Sequence, residues 1–200
     1  MRIVAGTLGG RRLLTPRGRQ VRPTSERVRE AIFSALGPIE GARVLDLFCG
    51  SGALAIEALS RGAATAVLID RDTRPALGNV HNLGLSERAE LLRADLPAGL
   101  PAALAADPGT LDGLSAVPTS TPTPTFDLIF CDPPYRLADR IAAQLDNLLP
   151  ALLAPSGRLI VESQAAHPLQ LSSLAALRER RYGGTRVDFY AHPAEAGADG

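Results

Sequence analysis

The sequence of 200 residues has no lysine, few histidines, only two cysteines and no apolar run long enough to cross a membrane. Cys49 and Cys131 form no CxxC pair, which fits a reduced compartment and gives no sign of a disulfide framework. His81, His167 and His192 lack the spacing of metal ligands, so no metal is expected. The N-terminus leads into glycine and arginine without the apolar core of a signal peptide, and we expect a cytoplasmic protein.

An apolar share of 46% in a chain of this length favours one soluble α/β domain with a real core.

The net charge of zero hides an asymmetry. Residues 1–30 hold eight arginines against two glutamates, a charge of +6, and the rest of the chain carries −6. A basic N-terminal segment on a mildly acidic body indicates an anion-binding edge. Because all 21 basic residues are arginine, the choice of arginine over lysine is not itself evidence for phosphate recognition.

The N-terminal residues predict a short hairpin, in which residues 2–5 and 12–14 flank a glycine-rich turn at 6–10. A helix should follow Arg22-Pro23-Thr24, with Thr24 as its N-cap, and should end at Gly37-Pro38. From residue 43 the pattern alternates strand and helix, which implies a mostly parallel sheet. The predicted strands are 43–48, 65–70, 89–93, 126–131 and 158–162, the predicted helices are 52–61, 72–83, 137–149 and 170–178, and residues 185–191 should close an edge hairpin.

Residues 97–125 interrupt this alternation, since they are rich in proline, alanine, glycine, serine and threonine and predict a flexible surface insertion without an element of its own. We therefore divide the chain into a basic N-terminal arm and helix (1–37), a main domain (38–193) and a disordered tail (194–200).

The apolar run 128–131 leads into Asp132-Pro133-Pro134-Tyr135. Neither proline can donate to a β-ladder, so the strand must stop there and Asp132 lies at its carboxyl end. In an open α/β sheet this edge is where ligands bind. A carboxylate, a backbone carbonyl and an aromatic ring at this place suit a planar group that carries an amine.

A strand, a glycine-rich turn and a helix start follow one another around residues 44–55, where Gly50, Gly52 and Ala55 match G-x-G-x-x-G/A. This pattern alone is also typical of dinucleotide-binding folds. However, the carboxylate of Asp46 near the end of the strand disfavours a pyrophosphate. S-adenosylmethionine carries an ammonium and a sulfonium instead, and the glycines would let the backbone approach it closely.

Two further acids end the next two strands. Asp70 lies about 20 residues beyond the glycines, at the distance that suits ribose hydroxyls. Asp95 could accept from an adenine amino group, with the backbone N–H of Leu96 facing the ring. Asp72 competes with Asp70 but better suits the cap of the next helix.

Two motifs together resemble class I S-adenosylmethionine-dependent methyltransferases: residues 46–52 are similar to their first motif, and Asp132-Pro133-Pro134-Tyr135 is similar to the (D/N/S)-P-P-(Y/F/W) motif of those that methylate an amino nitrogen. The N-terminal stretch, above all residues 22–33, resembles the bacterial 16S ribosomal RNA guanine-N2 methyltransferases of the RsmD type. The likeness covers nearly the whole chain except the insertion and the tail. Cys49 stands where family members often have alanine.

The resemblance implies a Rossmann-like seven-stranded, mostly parallel sheet with helices on both faces and an antiparallel last strand. It implies transfer of a methyl group from S-adenosylmethionine to N2 of a specific guanine in 16S rRNA, and the family target is guanine 966. The enzyme is expected to be a monomer that acts on the small subunit or on a late assembly intermediate. The implied cofactor residues are Asp46, Phe48, Gly50, Gly52, Asp70, Asp95 and Leu96, and the catalytic residues are Asp132, Pro133, Pro134 and Tyr135. From the charge pattern, the RNA-binding residues are Arg2, Arg11, Arg12, Arg22, Arg27 and Arg29.

Three alternatives stay open at this point. An amino-methyltransferase acting on DNA adenine or a protein glutamine would use the same acid-Pro-Pro-aromatic site. A nicotinamide-dependent dehydrogenase explains the glycines but gives residues 132–135 no role. A non-catalytic RNA-binding protein on the same fold would have no need of intact site residues.

Overall fold

A seven-stranded sheet with helices on both faces forms the centre of the computed structural model, which describes residues 1–15, 25–105 and 125–193. Its elements in chain order are α1 (Glu26–Leu36), β1 (Arg43–Leu47), α2 (Ala53–Ser60), β2 (Thr65–Asp70), α3 (Arg74–Leu83), β3 (Ala89–Arg93), α4 (Leu100–Ala105), β4 (Phe126–Cys131), α5 (Ala138–Leu152), β5 (Leu153–Gln164), β6 (Ala175–Tyr182) and β7 (Thr185–Ala191). Of the helices in these ranges, none combines the length and the apolar content that a bilayer crossing requires.

The strands lie in the order β3-β2-β1-β4-β5-β7-β6. Parallel ladders join the first five, and only β7 runs antiparallel to its neighbours β5 and β6. One apolar cluster packs α1, α2 and α3 on one face, and a second packs α4 and α5 on the other. The predicted Rossmann-like sheet with an antiparallel last strand is therefore confirmed. The hairpin at the sheet edge is formed by β6 and β7, with β6 outermost.

Two predictions about secondary structure are wrong. Residues 170–178 do not form a helix: residues 170–174 have no regular structure, and residues 175–178 pair with β7 as the start of β6. Leu174 packs on the α5 face of the sheet and Leu177 on the α1 face, whereas a surface helix would turn its apolar side chains to one face. Asp146 on α5 fixes the preceding loop by accepting from the backbone N–H groups of Ser172 and Ser173 at 2.9 Å each. In addition, α4 lies inside the segment expected to lack an element, and it buries Leu100. Residues 106–124 and the predicted tail at 194–200 lie outside the described residues.

Helix α1 begins after Ser25, whose hydroxyl accepts from the Val28 N–H at 3.3 Å. The predicted cap, Thr24, lies outside the described residues. The helix ends as predicted at Gly37, where a φ of 72° stops the helical path and the glycine N–H donates to the Phe33 carbonyl. Val28, Ile32 and Phe33 turn toward the sheet and are buried.

Residues 1–15, which we call the N-terminal arm, fold back on themselves as predicted. Ile3 N–H donates to the Arg11 carbonyl at 3.0 Å and Gly10 N–H donates to the Ile3 carbonyl at 2.8 Å. Ile3 and Leu13 belong to the same apolar cluster as α1, α2 and α3, so the arm shares the core of the main domain. Its turn lies against the end of α2, where Thr7 N–H donates to the Ser60 carbonyl.

Candidate active site

The register of the sheet brings the acid-bearing strand ends together at one edge. Leu47, the last residue of β1, pairs with Ile69 of β2 on one side and with Cys131 of β4 on the other. Asp70 at the end of β2 pairs with Arg93 at the end of β3. The residues that follow these strands therefore share one edge, with the glycine-rich turn after β1 at its centre.

The turn at residues 48–52, which we call the glycine loop, has an unusual backbone. Phe48 has a φ of 61°, a left-handed conformation that costs a non-glycine residue about 1–2 kcal/mol. Gly50 has a φ of 54°, and a Cβ there would meet nothing within 4 Å, so the space before the loop is open. Gly52 differs, since its Cβ would lie 2.8 Å from the Leu68 side chain. Gly50 thus leaves room for a ligand, whereas Gly52 allows α2 to pack closely on β2.

Asp46 supports this loop from beneath. Its side chain is almost fully buried, and its Oδ2 accepts from the Ala55 N–H at 3.1 Å, which ties β1 to the first turn of α2. Burial raises the pKa of Asp46 to about 7, with the nearby charge of Asp70 adding to the shift and the Ala55 hydrogen bond opposing it. Direct contact of Asp46 with a cofactor stays a prediction.

Asp70 reaches across from β2 to the glycine loop. One carboxylate oxygen accepts from the Gly50 N–H at 3.0 Å and the other from the Asp72 N–H at 3.0 Å. A carboxylate has about four acceptor positions, so these bonds orient Asp70 and leave capacity for ribose hydroxyls. Asp72 instead pairs with Arg74 through two contacts of 2.7 and 2.8 Å and accepts from the backbone N–H of that first residue of α3. The preference for Asp70 at the loop agrees with this arrangement.

Asp95 and Leu96 follow β3 at the same edge. Asp95 is exposed, its backbone carbonyl accepts from the Gly99 N–H at 2.8 Å, and Leu96 packs into the α5-side core. The Ala94 N–H donates to the Asp70 carbonyl, which continues the β2–β3 pairing up to this point. Their contacts with an adenine ring remain a prediction that fits their position.

Residues 132–135 leave β4 next to the glycine loop. Asp132 N–H donates to the Leu47 carbonyl at 3.4 Å, so the acid lies directly beside the last residue of β1. Pro133 is buried, while Pro134 and Tyr135 are exposed, Tyr135 at 37%. The Pro134 carbonyl accepts from the Leu137 N–H at 2.8 Å and turns the chain into α5. The predicted catalytic residues and the glycine loop are thus neighbours.

The two cysteines near the site are both buried. Burial raises the pKa of the Cys49 and Cys131 thiols, and nearby carboxylates raise it further. Both thiols therefore stay protonated and act as small apolar side chains, as the sequence predicts. Within the described ranges, no three His, Cys, Asp or Glu side chains gather in a way that could hold a metal ion.

The predicted RNA-binding arginines divide into three groups. Arg2, Arg11, Arg12 and Arg27 are exposed on the arm and α1. Arg22 lies outside the described residues. Arg29 is fully buried, and its guanidinium donates to the Met1 sulfur and the Arg2 carbonyl. The prediction that Arg29 contacts RNA is therefore wrong for this structure, because the side chain points into the protein and holds the N-terminus.

Glu57 is a residue that the sequence reasoning missed. It is fully buried in α2, and its carboxylate accepts from Val4 N–H at 2.7 Å and Ala5 N–H at 3.0 Å while pairing with Arg61 at 2.7 Å. It fixes the N-terminal arm on the domain. A lone acid within the otherwise apolar run Ala53 to Leu59 was the available signal, since buried charges are normally paired.

Comparison with known proteins agrees with this geometry. The family model described as "Conserved hypothetical protein 95" matches residues 1–191. Ribosomal RNA small subunit methyltransferase D of Escherichia coli is 32% identical over 100% of this chain and 93% of its own length. The Haemophilus influenzae protein of that name is 33% identical over 84% of this chain and 81% of its own. A hypothetical protein of Thermus thermophilus has a similar solved structure, with a TM-score of 0.73, 28% identity, and coverage of 96% of this chain and 99% of that one.

The strand order, the glycine loop and the acids at the strand ends define a Rossmann-like methyltransferase. Within that class, the chain belongs to the Conserved hypothetical protein 95 family, the RsmD type of S-adenosylmethionine-dependent methyltransferase.

Proposed function

We propose that the protein transfers a methyl group from S-adenosylmethionine to the exocyclic N2 of one guanine in 16S rRNA, at the position of the family target, guanine 966. The names of the relatives support small-subunit rRNA as the substrate. The observation that carries the proposal is the adjacency of Asp132 to the glycine loop, through the Leu47 and Cys131 pairing. A carboxylate that can accept hydrogen bonds from an amine and a loop that can bind the methyl donor therefore lie side by side.

The residues present fit the cofactor. The space in front of Gly50 is open, and the acids Asp70 and Asp95 at neighbouring strand ends offer acceptors for the hydroxyl and amino groups of an adenosine. Phe48 and Gly50 would line the cofactor site, and the buried Asp46 would support it. Asp70 would accept hydrogen bonds from the ribose hydroxyls, and Asp95 with Leu96 would flank the adenine. When bound, S-adenosylmethionine supplies an electrophilic methyl group.

The guanine amine is a weak nucleophile because its lone pair is delocalised into the ring. The Asp132 carboxylate and the Pro133 carbonyl would accept hydrogen bonds from its two N–H groups and draw the nitrogen toward a tetrahedral geometry. This orientation turns the lone pair toward the adjacent cofactor site. The negative charge of Asp132 stabilises the positive charge that develops on the nitrogen. The methylated nitrogen then carries a positive charge, and it releases one of its two original protons to Asp132 or to water.

Tyr135 would hold the guanine itself. Its exposed ring can stack on a base that has been turned out of its RNA context, while Pro134 stiffens the backbone between ring and acid. The exposed arginines of the N-terminal arm and α1 would contact phosphates, which adds affinity without choosing the base.

Two substitutions at Asp132 test this assignment. Asp132→Ala removes the acceptor and should abolish methyl transfer to small subunits while leaving the affinity for S-adenosylhomocysteine nearly unchanged. Asp132→Asn keeps one carbonyl oxygen and should retain more activity than the alanine variant. Calorimetry and transfer of labelled methyl groups measure the two properties separately. Full transfer by Asp132→Ala would exclude Asp132 from the reaction.

A further inference from the structure

One buried side chain joins the N-terminal arm to the glycine loop. Asn79 lies on α3 and is 1% exposed. Its Oδ1 accepts from the Leu14 N–H at 2.7 Å, and its Nδ2 donates to the Leu14 carbonyl at 2.9 Å and to the Ser51 carbonyl at 2.9 Å. The carboxamide thus uses both of its N–H donors and its acceptor to bind two backbone segments that are far apart in sequence.

One of these segments belongs to the glycine loop, and the other belongs to the N-terminal arm. Ser51 stands between Gly50 and Gly52 in the glycine loop and is itself buried, so its carbonyl has a fixed direction. Leu14 is near the end of the arm and is 60% exposed, and the exposed Arg12 is two residues away. A ligand on the exposed side of the arm and a ligand in front of the loop would therefore both act on hydrogen bonds made by Asn79.

The linkage is more direct at this point than elsewhere along the arm. The glycine-rich turn of the arm is held by Ser60, at the end of α2 that lies away from the glycine loop. Glu57 holds Val4 and Ala5 in the middle of the same helix. Among the described residues of the arm, Leu14 is the one whose bonded partner also bonds the glycine loop. A buried carboxamide cannot release one partner without leaving polar atoms unpaired, so its three bonds hold together.

We propose that Asn79 is a positioning residue that couples RNA binding by the N-terminal arm to cofactor binding at the glycine loop. The identity of the two ligands rests on the proposed function, whereas the link itself rests on the three hydrogen bonds. Ordering of the loop by the cofactor stabilises the Asn79 bonds to Leu14, and ordering of the arm by RNA stabilises the bond to Ser51. Because such coupling is reciprocal, each ligand raises the affinity for the other by the same factor.

The test uses S-adenosylhomocysteine, which cannot donate a methyl group, and small ribosomal subunits from a strain that lacks this activity. In equilibrium dialysis with labelled S-adenosylhomocysteine, we expect the subunits to raise the affinity of the wild-type protein about fivefold or more. Asn79→Leu, close to isosteric and without hydrogen-bonding groups, should bind each ligand alone but lose the increase. Asn147→Leu makes the same change at an exposed position of α5 and should keep it. An equal increase in Asn79→Leu and wild type would overturn the proposal.

A second measurement needs no variant and no RNA. Since the Leu14 N–H is the donor to Asn79, S-adenosylhomocysteine should slow hydrogen exchange at Leu14 in the wild-type protein, and at Gly10, near the distant turn, much less. Unchanged exchange at Leu14 under saturating S-adenosylhomocysteine would contradict the link even if Asn79→Leu did not fold. Failure of wild-type protein to methylate the subunits would instead count against the proposed function, because the exchange experiment does not depend on the substrate.

Discussion

Two of the buried carboxylates, those of Asp46 and Glu57, accept hydrogen bonds from backbone N–H groups. Asp46 holds the first turn of α2 through Ala55, and Glu57 holds the arm through Val4 and Ala5. Hydrogen bonds to backbone N–H groups offset part of the cost of removing a charge from water. These two acids therefore fix the positions of the glycine loop and the arm.

The raised pKa of Asp46 predicts a specific pH dependence of stability. With a folded pKa of about 7 and an ordinary value of 3.8, the folded protein keeps a proton that the unfolded chain has released between those values. The free energy of unfolding contributed by Asp46 therefore falls as the pH rises from about 4 to about 7. Asp46→Asn keeps an oxygen for the Ala55 N–H and removes this loss. We expect the stability of wild type relative to Asp46→Asn to drop by about 2–4 kcal/mol across the window.

Urea denaturation at several pH values measures this difference. The exposed Asp95, changed to asparagine, is the control and should show a much smaller effect because its carboxylate stays in water in both states. A wild-type stability that rises relative to Asp46→Asn between pH 4 and 7 would mean that Asp46 is stabilised as a carboxylate.

At the scale of elements, the seating of the N-terminal arm depends on a close approach to α2. Gly6 and Gly10 both have a φ of 82°, yet a Cβ on Gly6 would lie 1.9 Å from the Ser60 carbonyl oxygen, whereas a Cβ on Gly10 would meet nothing within 4 Å. The two positions share the same backbone requirement and differ only in packing. They form a matched pair for measuring how firmly the arm is held.

Gly6→Ala should cost about 1–3 kcal/mol more stability than Gly10→Ala, since the contact is with backbone and cannot be relieved by a rotamer change. Both variants pay the common penalty of a left-handed alanine, about 1–2 kcal/mol. Thermal or urea unfolding checks the difference. An equal loss of stability in the two variants would mean that Gly6 is not packed against Ser60 at the end of α2.

Elements whose sequence patterns are local could be predicted. Strands β1, β2 and β4 are apolar runs with an acid at or next to their carboxyl end, so their approximate bounds and the residues of the glycine loop could be predicted. The predicted helix at 170–178 is wrong where it overlaps the start of β6, because pairing of that strand depends on β7, which follows it in the chain. Burial of Arg29 could not be predicted from its neighbours in sequence, because it depends on the distant partners Met1 and Arg2.

At the scale of the whole molecule, the positive charge of the N-terminal residues is only partly available to a partner. Arg29 is buried, while Arg2 and Arg11 each donate to a backbone carbonyl, of Gly10 and Asn82 respectively, yet remain exposed. Their charges are not cancelled by those contacts, since a carbonyl carries no net charge. The arm therefore still presents a basic surface on a body of opposite sign.

This surface predicts that salt weakens RNA binding far more than cofactor binding. Arg12→Ala should lower the affinity for small-subunit RNA and reduce the salt dependence by about one unit of slope, because one phosphate contact is lost. Arg140→Ala, on the exposed side of α5 across the sheet, should leave both unchanged. Filter binding at several salt concentrations measures the slopes. Equal effects of the two substitutions would show that the arm has no special part in binding.

The central claim is tested most directly by methylation of small ribosomal subunits from a strain that lacks the activity, with labelled S-adenosylmethionine and subsequent mapping of the modified nucleotide. We expect one N2-methylguanine at a single position of 16S rRNA with the wild-type protein, and none with Asp132→Ala. Label in a protein glutamine, in DNA adenine when DNA is offered in place of the subunits, or in no product would contradict the account.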